Sequence, residues 1–348
     1  MKKRGKAYPI VLASTAFLLL LIIFSFTEST PNVQSNLSAA YAYVPNEKSN
    51  DVSVINITTD TFIANISVGA NPAGVAVSPD GKKVYVTNEE SNNISIIDTS
   101  NYSNITSVSV QMYPLGVAIT PDGKKVYVAN YYSKSVSVID ASNYSVNNVS
   151  VGAHPIEVAI TPDGSKVYVA NSGEATVSVI NTATNAPIKK IDVVTDPYGV
   201  AVTPDGTQVY VTGLSTSTVY VIDTITDTII GSPIVVGKYP RGVAFTPDGT
   251  KAFVANHENP GGSISVINAI TNTVTDTVEN VGNYPCGVAV TPDGKKVYVT
   301  NSGSNNICVI DTKTNEVINN NIDVKGYGPA GLGQFIGPLP EPPQNSST

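Results

Sequence analysis

The tripeptide Pro-Asp-Gly occurs six times, with its aspartates at Asp80, Asp122, Asp163, Asp205, Asp248 and Asp293, spaced by 42, 41, 42, 43 and 45 residues. A period of that length marks a supersecondary unit that buries its apolar faces only against copies of itself, so the chain must fold as a repeat array. The same grammar surrounds each copy: Gly-Val-Ala-Val before the turn, Val-Tyr-Val-Thr-Asn after it, then Val-Ser-Val-Ile-Asp and a Val-rich segment. These are four short β-branched runs separated by turn residues, hence four strands per unit. Within the turn, Pro pre-sets φ, Asp bonds its own downstream backbone, and Gly takes φ > 0. The runs Val75-Ala76-Val77 and Val84-Tyr85-Val86 are apolar on both sides of the pleat. Their sheets must therefore be covered on both faces, as when sheets stack around an axis. No helical 3.6-residue period follows residue 40.

The two ends complete the count. Tyr43-Val44-Pro45-Asn46, Val52-Ser53-Val54-Ile55-Asn56 and Ile66-Ser67-Val68-Gly69 read as strands two, three and four of a unit without a first strand. Pro329-Ala330-Gly331-Leu332 opens a first strand with nothing after it. Joined, they make a seventh blade. The sequence thus predicts an all-β, seven-bladed β-propeller of four-stranded blades over residues 41–337, its ring closed by pairing of the N- and C-terminal strands, leaving no inner edge exposed. Gly333-Gln334-Phe335 replaces the usual Ala-Val-Thr, which predicts either a bulge in the closing strand or a weak clasp.

Tyr85-Val86-Thr87-Asn88 and Tyr298-Val299-Thr300-Asn301, the variants Tyr127-Val128-Ala129-Asn130 and Tyr168-Val169-Ala170-Asn171, and the Pro-Asp-Gly turns together resemble the YVTN family of β-propeller repeats. The resemblance covers roughly residues 41–337 and implies a seven-bladed propeller like those of archaeal surface-layer and other cell-surface proteins. Propellers of this kind also resemble lactonase, lyase and redox-enzyme domains, so fold alone does not fix function.

Lys2, Lys3, Arg4 and Lys6 precede Ile10–Phe26, 17 residues without a charge. This length lies between that of a signal h-region and a spanning helix, so residues 1–26 read as a signal peptide or an N-terminal membrane anchor. Either way the positive flank stays in the cytoplasm and the propeller faces the cell exterior. Residues 27–40 form a polar spacer, and 338–348 a Pro-rich disordered tail. Of 20 basic residues, four lie in that N-terminal flank, and 27 acidic ones oppose the rest. No nucleic-acid face can be built from this balance.

Candidate site residues are those that refuse to repeat. In a four-stranded blade, the start of strand one and the loop between strands two and three share a face near the central channel. The residues flanking each strand-one proline there differ from blade to blade, and this ring is the candidate ligand-binding face: Tyr113, His154, Asp196, Tyr198, Tyr239, Arg241 and Tyr284, with Glu157 replacing the repeated glycine of its blade. Arg241 is the one arginine beyond Arg4. Tyr85, Tyr127, Tyr168, Tyr210 and Tyr298 do repeat, and so read as packing residues of strand two.

Two histidines and two cysteines offer no ligand spacing for a metal, and no nucleophile elbow or phosphate loop occurs, so no catalytic residue, cofactor or metal is predicted. Cys286 and Cys308 fall two strand spacings apart in one blade, too far for a bridge, and read as buried free thiols. The turn aspartates lack the dense oxygen spacing of a calcium loop. Sequons at Asn56, Asn65, Asn93, Asn101, Asn104, Asn143 and Asn148 make the first blades candidate glycoprotein segments in an exported chain. These features favour an exported, non-enzymatic scaffold or adhesion protein of the cell surface or surface layer, binding protein or polysaccharide partners and touching the membrane only through its N-terminal segment. The alternative is a secreted propeller enzyme of lactonase or lyase type, using His154, Glu157, Asp196 and Arg241.

Overall fold

The computed structural model describes residues 40–102, 105–193 and 196–337. The predicted signal or anchor (1–26), all but the last residue of the spacer and the C-terminal tail lie outside the described residues. Seven antiparallel sheets, the blades, follow one another in the chain. Blade 2 is typical, with Pro72–Val77 innermost, then Lys83–Asn88, Asn93–Asp98 and Ile105–Ser109 outermost. Blades 3 to 7 begin at Pro114, Pro155, Pro197, Pro240 and Pro285. Blade 1 begins with its second strand, Tyr41–Asn46. In blade 5 the outermost strand is split into Thr228–Ile229 and Ile234–Val235 around Gly231, which holds φ at 67°. The predicted seven-bladed propeller is what the chain forms. Among the described residues the sole helical element is one 3-10 turn, Tyr131–Ser133.

The second strands are buried on both faces, as their unbroken apolar runs require, and the inner strands are buried except where their ends line the channel. What sets the spacing between inner strands is the repeated glycine. A Cβ on Gly74 would lie 2.2 Å from the carbonyl oxygen of Leu115 in the next blade, and one on Gly199 only 2.1 Å from that of Arg241. Neighbouring blades therefore nest backbone against backbone at the axis. The repeat threonine seals this contact: the Thr87 hydroxyl accepts from Gly74 N–H (2.8 Å) and donates to the Leu115 carbonyl (2.5 Å). The strand-two tyrosines pack as the sequence suggests and also reach across the seam. Tyr127 donates to Asn185 of the next blade (2.9 Å) and Tyr168 to Asp227 (2.5 Å).

Ring closure follows the predicted pairing. Ala330 N–H donates to the Pro45 carbonyl and Tyr43 N–H to that of Phe335, both at 2.9 Å, with Asn46 opposite Pro329 and Ala42 opposite Ile336. Between these bridges the backbone swings inward through Gly331 (φ 141°) and Gly333 (φ 89°), the irregularity that Gly333-Gln334-Phe335 foretells. Leu332 instead pairs in parallel with Gly74 of blade 2 and accepts from Val75 N–H at 2.9 Å. Phe335 and Ile336 are buried at the clasp, contributing about 1.5–3 kcal/mol each by removal of apolar surface from water. The Lys296–Asp60 ion pair (2.8 Å) ties blade 7 to blade 1. Cys286 and Cys308 are buried free thiols, as expected.

Candidate functional site

The residue before each inner-strand proline, so variable in type, is constant in backbone. Asn71, Tyr113, His154, Asp196, Tyr239, Tyr284 and Gly328 all hold φ between 53° and 67°. For bulky side chains this left-handed geometry is sparsely populated and costs of order 1 kcal/mol or more. It persists because each of these carbonyls accepts the N–H of the residue that follows the repeat's second strand. Those donors are Glu89, Tyr131, Ser172, Leu214, His257, Ser302 and, in blade 1, Glu47, at 2.9 to 3.2 Å. A second variable ring is thereby bonded to the first, and sequence reasoning missed it. The signal was present: these seven positions follow the strand-two asparagine or its substitute and, like the first ring, fail to repeat.

The two rings form two clusters around a central plug. Leu332 of the closing strand packs with Ala73, Leu115 and Ile156 across the axis, flanked by Tyr113, Tyr131 and Tyr198. On one side, Tyr131 stacks on His154 (centroids 4.5 Å apart, 11° between planes), and Tyr113 lies 6.1 Å from Tyr131. Tyr113 bonds the buried Glu89, whose carboxyl also accepts from Asn71 Nδ2 at 2.7 Å; burial pushes Glu89 up to about 7.

On the other side sits Arg241, half-buried, its guanidinium carbon 5.1 Å from the centre of the Tyr198 ring. One Nη donates to Cys286 Sγ at 3.7 Å, and buried Nε has no partner. Among the described residues no carboxylate lies within ion-pair distance of it. Cys286 Sγ stands 3.4 Å from His257 Nδ1 and 3.3 Å from Ser302 Oγ. Burial, with the Arg241 charge second, pushes the His257 imidazole down to about 4, so it is neutral near pH 7. Its Nδ1 lies 3.1 Å from the Pro285 carbonyl. The Nδ1–H tautomer donates there and leaves the lone pair on Nε2, whereas the Nε2–H tautomer would accept from the Cys286 thiol at Nδ1. Burial pushes the Cys286 thiol up, keeping it protonated, and raises Glu47 despite the attraction of Arg241.

The structure does not gather His154, Glu157, Asp196 and Arg241 into one set. His154 belongs to the Tyr131 stack, and Asp196 bonds Ser215. Tyr239 and Tyr284 are both exposed, and the Tyr284 ring lies tilted beside His257 with centroids 4.9 Å apart. Glu157 leaves the mouth for the channel interior, accepting from Val200 N–H (3.0 Å) and Gly333 N–H (2.9 Å). Among the sequons, Asn65, Asn101, Asn143 and Asn148 are exposed and Asn56 and Asn93 partly buried, while Asn104 lies outside the described residues. Among the described residues no group of three His, Cys, Asp or Glu side chains could hold a metal ion, and no helix is long and apolar enough to cross a membrane.

A family model described as "Lactonase, 7-bladed beta-propeller" matches residues 32–145 and 141–329. Among solved structures, hydrazine synthase of Kuenenia stuttgartiensis is similar at a TM-score of 0.63 and 26% identity, over 70% of this chain and 77% of that one. A functionally unknown protein of Desulfotomaculum acetoxidans DSM 771 is similar at 0.70 and 16% identity, over 84% and 99%. The dihydro-heme d1 dehydrogenase NirN, in complex with DHE, is similar at 0.63 and 15% identity, over 85% and 75%. The last two likenesses concern the fold alone. No curated protein matches by sequence. The family match overturns the expectation of a non-enzymatic surface scaffold or adhesion protein: it sides with the alternative, an enzyme-type propeller. The expectation leaned on the absence of a nucleophile elbow, phosphate loop or metal-ligand spacing, and an absent motif is weak evidence in a propeller, whose mouth is assembled from separate blades.

Proposed function

Since the chain belongs to the lactonase family of seven-bladed β-propellers, we propose that it hydrolyses a lactone bearing an anionic group, bound at the mouth between blades 5 and 7. The observation that carries this reading is the half-buried Arg241 guanidinium, with no carboxylate within ion-pair distance among the described residues, only the more distant charge of Glu47, and with an orphaned Nε, beside a neutral imidazole. A buried cation left unpaired by the protein is complementary to a substrate anion, and its planar fork suits a carboxylate or phosphate. The Tyr198 face holds the guanidinium in place.

His257 then serves as general base. Its Nε2 takes a proton from a water as the water oxygen attacks the lactone carbonyl carbon. The ring C–O bond breaks, and the departing alkoxide recovers the proton from the imidazolium, giving a hydroxy acid. The step uses the Nδ1–H tautomer, and the Pro285 carbonyl 3.1 Å from Nδ1 supports it as an acceptor. The Tyr-Val-Thr/Ala-Asn segments support reading the protein as a YVTN-type member of the family. The apolar stretch within residues 10–26 supports action outside the cytoplasm, which protease treatment of intact cells tests: an enzyme digested only after lysis lies inside.

The activity is tested with paired lactones of equal ring size, one neutral and one carrying a carboxylate or phosphate. The wild type should favour the anionic member at least tenfold in kcat/KM. Arg241→Gln should erase that preference mainly through KM, and His257→Ala should lower kcat about 10²-fold or more. Hydrolysis of neither lactone, or equal rates for wild type and both variants, would sink the reading.

A further inference from the structure

On the opposite face, inside the ring of Pro-Asp-Gly turns, the channel opens into a cavity of about 620 Å³, within the range of small-molecule sites. Its wall is aliphatic, made by inner-strand residues such as Val117, Ile160, Val202 and Val243, with prolines of six turns at its rim. Polar side chains are few, and Glu157 stands at the end closed by Gly333. Glu157 occupies the position that is glycine in the other blades, and it is 6% exposed. Two backbone N–H groups bond it, leaving lone pairs on both oxygens, and among the described residues no cation pairs with it. A carboxylate without a counter-charge in an apolar cavity is a costly arrangement that a bound cation would relieve.

The rim carries matching charge. In blades 2, 3 and 7 the turn aspartates Asp80, Asp122 and Asp293 lie beside Lys82, Lys124 and Lys295, at 3.9, 3.2 and 3.4 Å. In blades 4, 5 and 6 the corresponding positions are Ser165, Thr207 and Thr250, and among the described residues Asp163, Asp205 and Asp248 have no ion-pair partner. Hydrogen bonds from Thr161, Thr203 and Thr246 hold these three below the usual carboxylate range. An arc of negative potential thus flanks the opening on the side from which Glu157 projects.

We propose that this channel binds an organic ammonium, its alkyl or aryl body against the aliphatic wall and its N–H groups on Glu157. An organic anion would meet the rim and Glu157 with like charge. A bare metal ion would find one carboxylate among carbon atoms, too few oxygens to replace its hydration shell. A neutral apolar molecule would leave Glu157 without its counter-charge. This site is separate from the Arg241 mouth, and its ligand has the opposite charge.

Titration calorimetry of the full chain with hexylammonium, hexanol and hexanoate tests the proposal. Hexylammonium should bind at one site per chain, at least tenfold more tightly than hexanol, and hexanoate should not bind. Burial pushes Glu157 up to about 7, and the titratable side chain facing it, Tyr198, is pushed up to about 12 and stays neutral. Affinity for the ammonium should therefore fall about tenfold from pH 8 to pH 6, as Glu157 takes up its proton. Glu157→Gln should equalise ammonium and alcohol. Proton release by the wild type at pH 6.5, read from the buffer dependence of the binding heat, keeps the test decisive if that variant fails to fold. Equal affinity for hexanol and hexylammonium, pH-independent binding, weak binding at many sites, or no binding would overturn the proposal.

Discussion

The two faces of the ring answer the same backbone demand in opposite ways. At the Pro-Asp-Gly turns a left-handed residue is required, and glycine supplies it each time, with φ between 68° and 75°. The aspartates repeat beside it, each accepting from a Ser or Thr hydroxyl two residues earlier, at 2.5 to 2.6 Å, and from the N–H two residues later. At the start of the inner strands the same left-handed φ is taken by Asn, Tyr, His and Asp. One face spends its sequence on building the turn. The other accepts backbone strain and frees its side chains to differ, which is what a binding surface needs.

The largest effect should come from removing the strand that touches both faces. Ending the chain before Pro329 deletes Leu332 from the mouth, Gly333 from the channel and Phe335 from the clasp. Cooperative unfolding should be lost or shifted down by more than about 10 °C, with self-association through the exposed strand Tyr41–Asn46. Calorimetry and light scattering check this; a monomer that melts like the full chain would show that closure is dispensable. Next, one blade supplies a matched pair of substitutions. Arg241→Gln should abolish discrimination for anionic lactones with little change in stability, whereas Asp248→Asn should leave kinetics intact and cost about 0.5–1.5 kcal/mol in denaturant unfolding. Parallel kinetic and urea measurements on both variants check the contrast, and swapped outcomes would invert the assignment of the faces.

The smallest effect is in pH dependence. Glu89 and Glu157, raised from 4.5 to about 7, bind protons in the folded state that the unfolded chain has released. Their contribution is present below about pH 4.5 and lost as pH rises through 7. His257, lowered from 6.5 to about 4, acts the other way: its contribution is present above pH 6.5 and lost as pH falls toward 4. Glu47, also raised by burial, acts with the two carboxyls, and three groups against one leave stability rising as pH falls from 7 to 5. Thermal melts should show Tm a few degrees higher at pH 5 than at pH 8, with much of the difference gone in Glu157→Gln. A flat profile would mean that the two carboxyls are better solvated than their burial implies.

The repeating parts of the molecule were legible in the sequence because each states the same physical requirement several times. Pro-Asp-Gly fixed the turns, Val-Tyr-Val-Thr-Asn the covered second strand, and the split repeat at the termini the clasp. The Arg241 cluster was only half legible. Arg241 and Tyr284 stood out as exceptions, but His257 and Ser302 come from the loop after strand two of blades 6 and 7, and ring curvature rather than spacing brings them to Arg241 and Cys286. Glu157 was visible as a substitution, yet its direction into the channel depends on Gly333, which lies far along the chain.

The clasp also dictates an order of events. Ala42 faces Ile336, so the first strand of the propeller, paired on one edge with Asp51–Asn56, waits on its inner edge for a partner made almost 300 residues later. Such long-range pairing must overcome the closure entropy of almost the whole chain, and it forms slowly compared with the local hairpins within each blade. Blades 2 to 7 can assemble from neighbouring segments as they emerge, but blade 1 remains open until the C-terminal residues arrive. The propeller before closure is therefore an incomplete arc with one strand edge unpaired, and residues 329–337 convert it into a ring.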